Sequence, residues 1–260
     1  MRLATGRLFR RDGNAALPED AARTSGLPTT GGRLVYAVGD THGCVPALRD
    51  LLAVIDADAA LSAPAELPLI VFLGDYVDRG PDSRGVIDAI LGLEAEGRFE
   101  VVCLKGNHED AMIRFLADPA YAPAWIENWG EATLRSYGVD PWGGEATQAR
   151  FLEVFPATHR AFLSRLQLTL RLGDYLFVHA GVRPGVALDA QSERDLIWIR
   201  WEFLEATDDF GRVVVHGHTP SEQPDRRPNR IGVDTGVYFS GVLTAVRLHG
   251  EDQRFLQGRG

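Results

Sequence analysis

Five apolar, β-branched runs in this chain each stop at a glycine or a metal-binding type of residue: RLVYAVGD (33–40), PLIVFLGD (68–75), EVVCLKGN (100–107), YLFVHAG (175–181) and RVVVHGH (212–218). Near-continuous Val, Ile and Leu marks strands buried on both faces rather than strands with one wet face. Helical stretches lie between the first of them: VPALRDLLAVI, DSRGVIDAILGLEAEG and HEDAMIRFLADP. In the second stretch Val86, Ile87, Ile90, Leu91 and Leu93 share a helical face instead of alternating. Strand, polar cluster, helix, repeated, predicts an α/β fold in which polar side chains gather at strand C-termini, where loops from several strands can converge. Each of these helices also starts just after a polar cluster, so its N-terminal dipole favours a bound anion.

The residues at those strand ends form five short segments: GDTHG (39–43), GDYVDRG (74–80), GNHE (106–109), VHAG (178–181) and GHT (217–219). Asp40, His42, Asp75, Asn107, His179 and His218 offer carboxylate, amide and imidazole donors and no thiolate. That mixture suits Mn, Fe, Zn or Co better than Ca, and it argues against a structural zinc held by cysteines. Taken singly, an Asp that ends a strand is usually a helix cap or turn residue, and a lone His on an apolar strand is usually a satisfied core histidine. Five such segments in this order reverse those odds.

Composition adds bounds. The 260 residues, 45% hydrophobic and 24% charged, suffice for one large α/β domain, and nothing like a flexible linker divides them. Residues 1–32 read as a partly ordered lead-in and 33–260 as the domain. A formal charge of −9 argues against nucleic acid or an anionic membrane as a bulk partner. No apolar stretch is long enough to cross a bilayer, and no secretory signal is legible at the N-terminus. Cys44 and Cys103 pair by no pattern, so a reducing cytosol, and a cytoplasmic protein, is the plain expectation. Residues 118–156 break the strand–helix rhythm with Tyr121, Trp125, Trp129, Tyr137 and Trp142 among Pro and Gly. This insertion is either a lid or substrate-docking surface, or a helical subdomain that buries its tryptophans. NRIGVDTGVYFSGVLTAVRLHG (229–250) reads as two strands joined by a Gly-containing turn at a sheet edge.

The order of the five segments resembles the metal-dependent phosphoesterase superfamily, and within it the short bacterial form of the PPP-type serine/threonine protein phosphatases, over roughly residues 33–249. The resemblance implies two mixed β-sheets packed as a sandwich and flanked by helices, with a dinuclear metal site at the strand ends. It implies that Asp40 and His42 hold the first ion, that Asp75 bridges both, and that Asn107, His179 and His218 hold the second. His218 is the match to the family, rather than its neighbour His216. Mn2+ is the expected ion, with Fe or Zn as alternatives. Two cations about 3.5 to 4 Å apart would share and activate a water, forming a bridging hydroxide, and clamp the phosphoryl oxygens for in-line attack. His108 would give a proton to the departing oxygen, with Asp78 fixing its tautomer.

Arg79, and Arg200 in DLIWIRWEF, match phosphate-binding arginines, although a helical IWIRWEF with an exposed Arg is the plainer alternative for the second. Arg183 is a weaker candidate. Lys105 reads as a solvent-exposed strand-end cation, His159 and His249 as structural or solvated, and Tyr238 as a residue that could line the cleft. Asp234 and Thr235 either steady the loop of His218 or close a turn. The implied substrate is a phosphoprotein carrying phosphoserine or phosphothreonine. The competing implication is a symmetrical bis(5'-nucleosyl)-tetraphosphate hydrolase, which shares the metal core and usually has a Cys after GDxHG, as Cys44 stands here. Those enzymes typically lack the acidic residue before Arg in the second segment and carry GNHD, whereas this chain has VDRG and GNHE.

Overall fold

The computed structural model describes residues 26–144 and 146–260. Among these residues ten strands form two five-stranded sheets. In the first, the order is β10 (Asp252–Arg259), β9 (Val242–His249), β1 (Val35–Val38), β2 (Leu69–Phe72), β3 (Glu100–Cys103). In the second it is β4 (Thr169–Leu172), β5 (Tyr175–Val178), β6 (Val213–His216), β8 (Arg230–Gly232), β7 (Asp225–Arg226). β1, β2 and β3 run parallel, as do β5, β6 and β8, and antiparallel strands flank both sets, so both sheets are mixed as expected.

Alternation along each central strand builds the layers. Val35 and Ala37 of β1 and Leu69 and Val71 of β2 meet Tyr175, Phe177, Val213 and Val215 of the second sheet in one apolar seam. The intervening Tyr36, Val38, Ile70 and Phe72 turn outward onto α1 (Val45–Ser62) and α2 (Ser83–Glu96), whose Leu48, Leu51, Ile55, Val86, Ile87 and Ile90 are buried there. On the opposite side Leu176, Val178 and Val214 pack against Leu196, Ile197 and Phe203. Burial on both faces explains why the strands read as unbroken apolar runs.

α3 (Asn107–Ala117) follows β3 directly and begins at the polar cluster itself. The 118–156 insertion is helical: a short α4 (Ala122–Trp125), a π-helical turn Ile126–Gly130, α5 (Glu131–Ser136) and α6 (Ala146–Val154), followed by α7 (Ala157–Ser164). It buries Trp125 but leaves Trp142 and Tyr121 exposed. His159 is fully buried, bonded to the Tyr137 hydroxyl at 2.7 Å and to Asp88 at 2.9 Å, which ties α7 to α2.

Three expectations need correction. The 229–250 segment is no hairpin: β8 lies in the second sheet and β9 in the interior of the first, and the chain crosses between them through α10 (Val237–Ser240), entered at Gly236 with φ +62°. β9 pairs instead with β10 in a long antiparallel ribbon. IWIRWEF is not one helix either, because α8 (Glu193–Trp198) and α9 (Trp201–Leu204) are separated at Ile199 and Arg200. Lys105 is half-buried between Asp110 and Glu193 rather than free in solvent. The lead-in expected at 1–32 lies outside the described residues as far as 25. Beyond that, Thr29 exchanges two bonds with Asp174 and Pro28 accepts from Tyr175, which fixes 28–29 to the turn between β4 and β5.

Candidate metal centre

Six described residues other than glycine have positive φ, and five of them are His42, Asp75, Asp78, Arg79 and His218. Left-handed backbone is unfavourable for such residues and persists only where the surroundings impose it, so its concentration here marks a site before any side chain is considered. The imposing contacts are backbone bonds between strand-end loops. Thr41 N and His42 N both donate to Asp75 O, at 3.1 and 2.9 Å, and Gly43 N donates to Tyr76 O at 3.0 Å. Glu109, fully buried, accepts from four amides: Asp75 N (2.9 Å), Tyr76 N (2.7 Å), Val77 N (3.3 Å) and Gly106 N (3.0 Å). It thereby fastens the loop after β2 to the start of α3. Burial, then the charge of Asp75, raises its carboxyl to about 7. GNHE was legible, but nothing in the sequence said that its Glu would gather backbone donors.

Asp75 is the centre of the cluster. Its Oδ2 lies 3.4 Å from His179 Nε2, 3.6 Å from His42 Nε2 and 3.9 Å from His108 Nε2. The His179 and His42 spacings are long for hydrogen bonds and close to those of donors that share an ion, since two ligands at about 2.1 Å from one cation stand roughly 3 to 3.5 Å apart, while His108 stands farther off. Two groups, His42 with Asp75 and His108, and Asp75 with His179 and His218, can each hold a metal ion, and Asp75 is common to both. Asn107 Oδ1 stands 3.0 Å from His179 Nε2. Asp40 caps the backbone N–H of His218 at 3.1 Å, and a Cβ on Gly217 would overlap its carboxylate. All six ligand candidates named from sequence are buried. His42, Asp75, His179 and His218 fall in the two groups, and Asn107 and Asp40 adjoin the second through His179 and the His218 N–H. His108 joins the first group although it was expected as a proton donor. His216, by contrast, packs on Phe203 with its Nδ1 toward the Gly217 carbonyl, outside both groups.

Tautomers and charge agree with a cation cage. His42 Nδ1 and His179 Nδ1 each reach a backbone carbonyl, Val77 O and Leu73 O, at 2.9 Å, which leaves both Nε2 lone pairs facing Asp75. Burial lowers His42 to about 4, and burial with the neighbouring His179 lowers His218 to about 2, so both rings are neutral and ligand-ready. Burial opposes charge on His179 as well, but Asp75 overrides it and raises that ring to about 10. Without a cation the carboxylate therefore draws a proton onto its neighbour. Burial and then Asp234 raise Asp40 well above the carboxylate range. Asp234, itself raised to about 6 by burial, accepts Ser221 N at its carbonyl and so steadies the loop after His218.

Beside the cage, His108 Nδ1 is 2.8 Å from Asp78 Oδ2, and both residues are buried. Trp125 Nε1 donates to the same oxygen at 2.9 Å, and the Thr133 hydroxyl donates to Asp78 Oδ1 at 2.6 Å. Neither residue was singled out for this from sequence, since a tryptophan within a helical stretch reads as core. Arg79 is exposed, with its guanidinium over the Tyr238 ring and Nη1 bonded to the Tyr238 hydroxyl at 3.2 Å. Arg200 Nε lies 3.2 Å from His218 Nε2, so Arg200 reaches the cluster directly, whereas Arg79 reaches it through the Tyr238 ring beside His42. Arg183 instead makes a two-point bond to Asp195 on the wall of the neighbouring cleft. Three further rings surround the mouth: Tyr238 at 5.4 Å from His42, Trp129 at 5.1 Å from His108, and Trp198 at 6.1 Å from both Trp129 and His218. A cleft of about 850 Å³ leads away past Trp198 and Arg200.

Comparison with known proteins agrees with this geometry. The family model for calcineurin-like phosphoesterases matches residues 34–241. An asymmetrical bis(5'-nucleosyl)-tetraphosphatase of Anoxybacillus flavithermus is 25% identical over 81% of this chain and 88% of its own length. Serine/threonine-protein phosphatase 1 of Salmonella typhimurium is 28% identical over 83% of this chain and 92% of its own. The cold-active protein-tyrosine phosphatase of a Shewanella species shares the fold, with a TM-score of 0.56 at 18% identity, covering 96% of this chain and 89% of that one. No helix among the described residues is long and apolar enough to cross a membrane. The chain belongs to the calcineurin-like phosphoesterase family and is a hydrolase of the metallophosphoesterase superfamily.

Proposed function

We propose that this protein is a metal-dependent phosphomonoesterase that removes phosphate from phosphoserine and phosphothreonine in proteins. The observation that carries the reading is the buried His108–Asp78 pair at 2.8 Å beside the cation cage. A serine or threonine oxygen leaves as a strongly basic alkoxide and needs a proton as it departs, whereas a phosphate oxygen within a polyphosphate chain leaves without one. A dedicated donor is thus of most use against alkyl esters.

Asp40, His42, Asp75, Asn107, His179 and His218 would together hold two divalent cations. Mn2+ is the expected ion, with Fe or Zn as alternatives. When bound, the cations supply an activated water and neutralise phosphoryl charge. Arg79 and Arg200 grip the phosphoryl oxygens through their planar forks. As the new bond from the water oxygen to phosphorus forms and the bond to the serine oxygen breaks, the proton on His108 Nε2 passes to that oxygen. Asp78, on Nδ1, holds the ring in the orientation that presents Nε2.

A second reading is hydrolysis of dinucleoside tetraphosphates. The named activity of the Anoxybacillus relative and the Trp129, Trp198 and Tyr238 rings, which could stack on nucleobases, support it. Cys44 after GDTHG favours the symmetrical form. The Mn-loaded protein should be assayed side by side on phosphothreonine peptide, phosphotyrosine peptide and diadenosine tetraphosphate. The first reading expects the phosphothreonine peptide to have the highest kcat/KM. A strong preference for the dinucleotide overturns it, and the products then tell symmetrical cleavage (two ADP) from asymmetrical (ATP and AMP).

A further inference from the structure

We infer that the helical insertion is part of the catalytic apparatus, with Trp125 and Thr133 acting as positioning residues that lock Asp78 and, through it, aim His108. The inference rests on the reading of His108 as proton donor.

Asp78 has no solvent exposure, and both its oxygens are occupied by side-chain donors. One oxygen receives His108 Nδ1 and Trp125 Nε1, and the other receives the Thr133 hydroxyl. Two of these three donors come from the insertion, 47 and 55 positions further along the chain. Thr133 also accepts the Asp78 backbone N–H at 2.9 Å, and Ser83 Oγ accepts it at 3.0 Å. The hydroxyls of Ser83 and Thr133 are themselves 2.9 Å apart. These bonds restrain the αL backbone of Asp78 (φ +71°) as well as its side chain.

The insertion is shaped for this grip. Trp125 packs on Phe115 of α3 with ring centroids 4.6 Å apart, and α3 is the helix that carries His108. A Cβ on Gly130 would overlap the Trp125 indole, so glycine at that position lets the ring lie against the π-helical turn. Helical turns of this width often occur at functional sites. The same turn sets the Trp129 ring against His108 and its carbonyl within 3.5 Å of Arg79 N. A subdomain that only buried its tryptophans would need none of these polar contacts. Both Trp125 and Thr133 are neutral donors, so they hold the Asp78 carboxylate without adding a charge that would compete with His108 for it.

Trp125→Phe keeps a smaller aromatic ring and removes the N–H, Thr133→Val keeps the shape and removes the hydroxyl, and Thr133→Ser restores it. All three should be compared with wild type and His108→Asn, each with its bound metal measured, on a phosphoserine peptide and on p-nitrophenyl phosphate. The phenolate departs from the second substrate without a proton, so loss of a well-aimed donor is felt on the first alone. Expected for Trp125→Phe and Thr133→Val is a kcat lower by about 10-fold or more on the peptide, with a change under about 3-fold on the aryl ester and full metal content. His108→Asn should show the same split more strongly, at about 10²-fold or more, and Thr133→Ser should recover most of the peptide rate. If His108→Asn splits the substrates while Trp125→Phe and Thr133→Val lower both rates equally or neither, the positioning role is overturned by itself. If His108→Asn fails to split them, the proton-donor reading falls and the inference falls with it.

Discussion

Gly217→Ala is the smallest change expected to disable the cation cage. Gly217 is not among the glycines with positive φ, so alanine does not meet the left-handed backbone penalty there. Its added methyl, however, would overlap Asp40 Oδ1 and lie 3.2 Å from Asp40 Cγ. A carbon–oxygen contact needs about 3.3 Å, so either the Asp40 carboxylate or the loop carrying His218 must retreat by about 1 Å. Metal ligands tolerate displacement of only about 0.2 Å. Overpacking of this kind costs about 1–3 kcal/mol of stability, and disturbed support of a ligand lowers metal affinity by about 10 to 100-fold.

The assay is calorimetric titration of chelator-treated protein with Mn2+, alongside urea unfolding. Gly92→Ala is the control, because a Cβ there, in the middle of α2, has nothing within 4 Å. It should leave metal binding unchanged and raise stability by about 0.5–1 kcal/mol. Wild-type Mn2+ affinity in a folded Gly217→Ala variant would refute the packing of Asp40 against the His218 loop described above.

Two further outcomes follow from charge and burial. Because Asp75 raises His179 to about 10 against the burial that opposes it, the folded metal-free protein keeps a proton that the unfolded chain gives up near the ordinary 6.5. That contribution is whole below pH 6.5 and is lost as pH rises through about 10, so chelated protein should lose stability across this window. Urea midpoints that rise from pH 7 to pH 9 would contradict it. Burial pushes the Cys44 thiol up to about 11 and the Cys103 thiol up to about 12, so neither is a thiolate at neutral pH. Iodoacetamide at pH 7.5 should label the native protein slowly at both positions, as read by mass spectrometry, and rapid labelling of Cys44 would count against its packing.

The metal-facing half of this site was legible because local rules write it. A strand buried on both faces gives an apolar run, the run ends where the backbone leaves the sheet, and the ligand types fall at that point, as in VGD, FLGD and VHAG. The supporting half was not, since it depends on contacts between distant segments. Trp125 and Thr133 reach Asp78 across some fifty residues, and Glu109 collects the amides of a loop more than thirty positions upstream. The mistaken hairpin at 229–250 has the same origin. Two strand-like runs joined by a Gly-containing turn look alike whether they pair or enter different sheets, and only the partners, β6 for one and β1 for the other, decide.

The candidate ligands also divide between the two halves of the sandwich. Asp40, Asp75 and Asn107 leave the ends of the first sheet, while His179 and His218 leave the second. A pair of cations seated among them would act as a rivet through an otherwise oily seam. Its removal should let the two halves shear before either unravels, so that hydrogen exchange quickens first in the amides around residues 179 and 218 while the strands themselves stay protected.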